Sequence, residues 1–246
     1  MMDPTPHFVK AGGKSAERMM RHWAIGSEVR ERVAHEQALK QLPRHIYPYI
    51  AISRDTGAGA SEVARRIGER LGWDVLNREV LDRMAEKYHL ERAMLEAVDE
   101  TTTSWLLEVF GKWISQQVVT ETEYVSRLGK VLLIAARHGS TVFVGRGAQF
   151  FLPRERGFAV QIVAPLEQRI ARVMEREHMS HDTAQKYLCK RDQERHDFVR
   201  GHFDRDVNDP RLYDLVINLG CIGIDWAVDL IVRSCEHKFG AEIAAR

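Results

Sequence analysis

The sequence predicts an α/β fold in which a parallel β-sheet carries helices on both faces. Three observations predict it. Short apolar runs near residues 49–53, 141–145, 158–164 and 213–218 read as buried strands, and helical patterns fall between them. A glycine turn, Gly57-Ala58-Gly59, joins the first strand to the first helix. Apolar strands alternating with helices imply parallel pairing, and ligands of such sheets collect beyond the carboxyl ends of the strands.

The elements follow in order. Between Ser15 and Gln41 the residues Met19, Met20, Trp23, Ile25, Val29 and Val33 recur among charges, so residues 1–48 are expected to form a helical extension, punctuated by Pro43 and Pro48. Residues 49–246 then form one domain. Tyr49 to Ser53 reads as a strand, and Val63, Ile67 and Leu71 mark a helix that stops at Gly72. Trp73 to Leu76 is a second strand, leading into a helix that reaches about Lys87. The stretch from Glu91 to His138 has helical spacing and a stop at Gly139, so residues 77–138 are expected to be a helical insertion. Trp105, Phe110 and Trp113 within it read as core. Strands at Thr141–Gly145 and Phe158–Ala164 follow, then Pro165 opening a helix from Leu166 to about Glu177. The last strand, Tyr213–Asn218, precedes a helix from about Ile224 to Lys238.

The 246 residues carry 36 Lys+Arg against 35 Asp+Glu, and 44% are hydrophobic. A core can therefore be buried, which excludes global disorder. Near-neutral charge argues against nucleic acid or an acidic membrane as partner. Cys189, Cys221 and Cys235 form no CxxC pair, so neither zinc nor a disulfide scaffold is indicated. No apolar run approaches the roughly 20 residues that span a bilayer, and residues 1–13 lack the apolar segment of a secretory signal. A cytoplasmic protein is expected, its oligomeric state, homo-oligomer included, left open.

Chemistry is concentrated in Ser53-Arg54-Asp55-Thr56-Gly57-Ala58-Gly59-Ala60-Ser61-Glu62. Glycines there let backbone N–H groups turn inward, and the helix that follows points its positive end at an anion. Against the phosphate-loop pattern GxxxxGK[ST], Arg54 replaces the first glycine and Ala60 the lysine, while Gly59 and Ser61 stay in register. A tight strand-to-helix turn without a ligand is the other reading. Glu177, His178 and His181 show no third or fourth metal ligand and read as solvated surface.

Several segments in order resemble the cytidylate-kinase-like branch of the phosphate-loop nucleoside monophosphate kinases. They are the loop from Ile52 to Ala64, Leu76-Asn77-Arg78-Glu79-Val80-Leu81, Val144-Gly145-Arg146-Gly147, the run Val163 to Ile170, the arginine-rich run Lys190 to Arg205, and Asp209 to Asn218. The resemblance implies a P-loop NTPase-type sheet and ATP-dependent transfer of a phosphoryl group to CMP, dCMP or a related small acceptor, with Mg²⁺. It implies that Gly57, Ala58, Gly59, Ala60 and Ser61 hold the donor's phosphate, with the Ser61 hydroxyl on Mg²⁺.

Arg146 matches the family arginine that contacts the acceptor, and Arg78 an acceptor-side position, where the alternative is a salt bridge to Glu79 or Asp82. Arg191 and Arg195, four apart and so on one helix face, fall in an arginine lid over residues 185–208. Arg54 is the candidate to replace the missing lysine. Arg200 and Arg205 read equally as lid or as solvated surface. Gly147 stands where cytidylate kinases proper carry an Asp. The alternative function is a non-catalytic nucleotide-binding sensor with a degenerate phosphate loop.

Overall fold

The computed structural model describes residues 45–87 and 119–244. The expected extension up to residue 44, and residues 88–118 of the expected insertion with Trp105, Phe110 and Trp113, lie outside the described residues.

The elements are β1 (Tyr49–Arg54), α1 (Ala60–Leu71), β2 (Asp74–Asn77), α2 (Arg78–Lys87), α3 (Val119–His138), β3 (Thr141–Val144), α4 (Ala148–Phe151), β4 (Gly157–Val163), α5 (Leu166–Glu177), α6 (His181–Phe203), β5 (Leu215–Asn218), α7 (Ile224–Phe239) and α8 (Ala241–Ala244). The sheet order is β2-β3-β1-β4-β5. Every pairing in it is parallel. The predicted α/β sheet is therefore present, with β1 at its centre.

Alternation along the strands explains the two layers. Ile50 and Ile52 of β1 face a core shared with Val63, Ala64 and Ile67 of α1 and Ile231, Val232 and Cys235 of α7. Tyr49 and Ala51, pointing the other way, join Leu128 and Leu132 of α3 and Phe151 of α4. Both faces of β1 are buried, which is why its sequence is continuously apolar. On α1 the buried positions are Ala60, Val63, Ala64, Ile67 and Gly68, the spacing of a single helical stripe. A smaller cluster of Ile170, Val173, Ala184 and Leu188 binds α5 to α6.

All five strands differ from expectation by one or two residues at an end, and two of the shifts have a local cause. β2 runs Asp74–Asn77, one residue later than the apolar run suggests, because Gly72 takes a left-handed cap and Trp73 N still bonds Gly68 O at 2.9 Å. β5 begins at Leu215 rather than Tyr213, since the Tyr213 N–H closes the Pro210–Leu212 turn by donating to Pro210 O at 3.2 Å. The range 185–208 falls mostly on α6, one continuous helix of 23 residues.

Candidate functional site

β1 ends at Arg54, and the chain bends through Gly57 (φ 78°) and Gly59 (φ 98°) before α1 begins at Ala60. Both angles lie in the left-handed region that glycine tolerates. No side chain caps α1; Glu62 N and Val63 N bond to Gly59 O at 3.2 and 3.4 Å, which leaves the N–H groups of Ala60 and Ser61 for another acceptor. On the α5 side the loop's carbonyls are held by two arginines. Arg169 Nη1 donates to Thr56 O at 3.3 Å, and Arg172 Nη1 to Ala58 O at 3.0 Å and Gly57 O at 3.4 Å. A trans peptide points its N–H opposite to its C=O, so the N–H groups of Gly57 and Gly59 face away from α5. That polarity suits an anion.

α6 is fastened to the same loop at two points one turn apart. Asp192 accepts from Thr56 N at 2.9 Å and from Arg169 Nη1 at 2.6 Å. Burial alone would raise the Asp192 carboxyl, but these bonds to Thr56 and Arg169 hold it below the usual carboxylate value. One turn on, Arg195 donates to the backbone oxygen of Arg54, and its Nη2 lies 2.9 Å from Asp55 Oδ1.

Four predicted arginines converge beyond the sheet's carboxyl edge. Arg54 closes β1, Arg78 follows β2, Arg146 follows β3, and Arg195 reaches in from α6. Burial pulls the Arg54 guanidinium down to about 10, and the charges of Arg195, Arg78 and Arg146 push the same way against the opposing pull of Glu79. A half-buried cation facing three others, with Glu79 opposing, is a site that favours anions.

Arg146, in a left-handed turn at φ 57°, has the most constrained side chain of the four. Its Nε donates to Asp82 Oδ1 at 2.7 Å and its Nη2 to Asp82 Oδ2. The Arg146 guanidinium lies 5.6 Å from the centre of the Tyr124 ring and 5.2 Å from that of Phe198. The Tyr124 hydroxyl completes the group, donating to Asp82 Oδ1 at 2.8 Å. Burial would raise the Asp82 carboxyl, but the bonds from Arg146 and Tyr124 outweigh it and hold the group below its usual value. Arg78 Nε lies 3.5 Å from Asp82 Oδ2, and Arg78 Nη1 lies 3.9 Å from Glu194 Oε2. Arg191, instead of entering the group, pairs with Glu194 at 3.0 Å and lies against the Tyr187 ring.

Ala60 is only 2% exposed and packs in the core beneath the sheet, whereas Ser61 beside it is exposed. A lysine at residue 60 would point its stem into apolar packing, so the loop's cation comes from elsewhere. Sequence reasoning left four contributors without a role: Arg169 and Arg172, which hold the loop's carbonyls, Asp192, which holds its amide, and Tyr124. Asp82 entered only as a salt-bridge alternative for Arg78. The spacing Arg169-x-x-Arg172 on one helix face was the available signal; Tyr124 carried none.

Known proteins are similar to this chain over much of its length. A cytidylate kinase from Ignicoccus hospitalis is 24% identical over 185 residues, covering 75% of this chain and 96% of that protein. A cytidylate kinase from Methanocaldococcus jannaschii is 26% identical over 160 residues, covering 63% of this chain and 88% of that protein. Among solved structures, an uncharacterized protein from Eubacterium ventriosum superposes with a TM-score of 0.60 at 22% identity, covering 77% of this chain and 98% of that one. With its parallel sheet, its uncapped loop-to-helix junction and a match to the family's model over residues 49–220, this chain belongs to the cytidylate kinase-like family, on an α/β P-loop kinase fold.

Proposed function

We propose that this protein transfers a phosphoryl group from ATP to a nucleoside monophosphate, with CMP or dCMP as the acceptor. The observation that carries the reading is the convergence of Arg54, Arg78, Arg146 and Arg195 beside a glycine loop whose helix has no side-chain cap. Phosphoryl transfer asks a protein chiefly to align two anions and to offset the charge that develops between them.

In this reading the backbone N–H groups of Gly57, Gly59, Ala60 and Ser61 hold the donor's β-phosphate, while that of Ala58, included in the expected set, is spent on Asp55 O at 3.1 Å. Arg54 takes over the neutralising role of the lysine replaced by Ala60, reaching the phosphates from the end of β1 instead of from α1. Arg195 is braced by Asp55 and by the Arg54 carbonyl, so its guanidinium is oriented before substrate arrives. Arg78 and Arg146 receive the acceptor's phosphate, and Arg191 adds positive charge from the outer part of the 185–208 lid. The exposed Ser61 hydroxyl would help hold Mg²⁺, which would supply charge neutralisation to the donor's phosphates. No general base is required.

A coupled assay with ATP, Mg²⁺ and a panel of monophosphates tests the reading. Turnover is expected with a pyrimidine monophosphate and is expected to fall at least about 100-fold in Arg54→Ala and Arg195→Ala, the scale of removing one transition-state donor. Calorimetric nucleotide binding with no turnover for any acceptor would overturn it in favour of a non-catalytic nucleotide sensor.

A further inference from the structure

In the acceptor half of the site, the positions that an incoming phosphate needs are already taken by a carboxylate. Arg146 presents its Nε and Nη2 edge, the edge with which a guanidinium grips a carboxylate or phosphate in two-pronged fashion, and Asp82 occupies both prongs. The ring faces of Tyr124 and Phe198 fix the plane of Arg146, so it cannot easily turn another edge outward. Arg78 Nε and the Tyr124 hydroxyl point at the same carboxylate, which thus collects two cations and a hydroxyl donor. Three donor groups around two oxygens is a coordination suited to a phosphate.

We infer that Asp82 is the resident anion of the acceptor site: its carboxylate holds Arg146 and Arg78 in place while the site is empty, and an acceptor binds by exchanging its phosphate for that carboxylate. The inference rests on the acceptor-side role given to Arg78 and Arg146 above. Two consequences follow from simple charge counting. Without Asp82 the neighbouring guanidinium groups of Arg146 and Arg78 would lose the carboxylate they share, whereas Arg195 keeps Asp55, so the residue stabilises the empty protein. For the same reason it taxes binding, because any ligand must outcompete a covalently tethered carboxylate at short range. A phosphate dianion, carrying more charge and more acceptor oxygens, can do so; a monoanion has little advantage. Asp82 is therefore a positioning residue that also sets which anions the site admits.

The test uses the full chain and inorganic phosphate, followed by calorimetry and by thermal unfolding. Asp82→Asn is expected to lower Tm in phosphate-free buffer but to bind phosphate about tenfold more tightly than wild type, with a correspondingly larger rise in Tm on adding it. Asp82→Glu, which keeps the charge, is expected to stay within about threefold of wild type. The deciding measurement is a double-mutant cycle. In an Arg146→Ala background the tightening by Asp82→Asn should shrink to less than about twofold, because the exchange has lost its partner.

Equal tightening with and without Arg146 would show mere removal of a negative charge and would overturn the inference. So would phosphate affinity in Asp82→Asn that is unchanged or weaker, or absent altogether. Asp82→Ser, read by the same titrations, replaces Asp82→Asn if circular dichroism shows the latter misfolded. An Arg146-dependent tightening, accompanied by no turnover with any monophosphate, would support the anion exchange while overturning the kinase reading, so the two fail separately.

Discussion

The Arg54 guanidinium fills the space that a side chain on Gly145 would need. A Cβ on Gly145 would overlap Arg54 Nη1, and Gly145 itself sits at φ 83°, where an L side chain is strained. β3 lies beside β1 in the sheet, and Gly145 N donates to Ile52 O at 2.8 Å, so the close approach is built into the strand pairing. The glycine after β3 is thus a condition for burying the cation that ends β1.

Gly145→Ala should therefore damage both stability and phosphate binding. Left-handed strain costs about 1–2 kcal/mol, equivalent to a fall in Tm of roughly 2–8 °C for a chain of this size. Displacing Arg54 should in addition weaken ATP binding about tenfold. Differential scanning calorimetry and an ATP titration measure the two effects; a stability loss with unchanged affinity would mean that Arg54 does not face the donor.

Arg172 donates to the carbonyls of Gly57 and Ala58 in the loop. Hydrogen bonds from a charged donor contribute about 1.5–3 kcal/mol. Arg172→Ala is expected to loosen the loop and weaken ATP binding by roughly tenfold or more, while acceptor KM moves little, because the change lies on the donor side. An equal change in both constants would contradict that division.

Asp192 gives the site a dependence on acid. Its carboxyl is held below the ordinary 3.8, so it contributes stability at neutral pH that is lost as the pH falls through that lowered value. Asp192→Asn should be less stable than wild type at pH 7, by about 1–3 kcal/mol, and the gap should narrow towards pH 3. Urea unfolding at the two pH values measures it. A gap that widens on acidification would reverse the sign and refute the assignment.

Ser61 is exposed at the start of α1, so removing its hydroxyl should leave Tm within about 1 °C. Ser61→Ala is expected to raise the Mg²⁺ concentration for half-maximal turnover about tenfold. An unaltered Mg²⁺ profile would place the ion elsewhere.

How much of this was legible before folding depends on the range over which each signal acts. The run Tyr49 to Ser53 announced a strand buried on both faces, and the structure buries it so. The helix from Leu166 to about Glu177 was readable, because Pro165 fixes its start and the apolar spacing is local. The positions of Arg54, Arg78 and Arg146 at strand ends followed from the strands themselves, since parallel strands bring their carboxyl ends to one edge. Partnerships were another matter. Asp82 and Arg146 are 64 residues apart, and Asp192 and Thr56 are 136 apart, separations across which no periodicity carries information. Arg191 and Arg195 were placed on one helix face with Arg195 the better candidate, and in the structure Arg195 braces the loop while Arg191 pairs with Glu194.

By itself the chain of residues determined the α/β class, the alternation of strand and helix, and the kind of ligand a glycine turn before a helix can hold, because these depend on contacts between near neighbours. Only tertiary structure decided that Ala60 lies in the core, that arginines from α5 grasp the loop's carbonyls, and that a carboxylate from α2 sits between Arg78 and Arg146. Those facts depend on how separate elements pack, and a guanidinium's partner is chosen by which acceptors the packed sheet brings within reach.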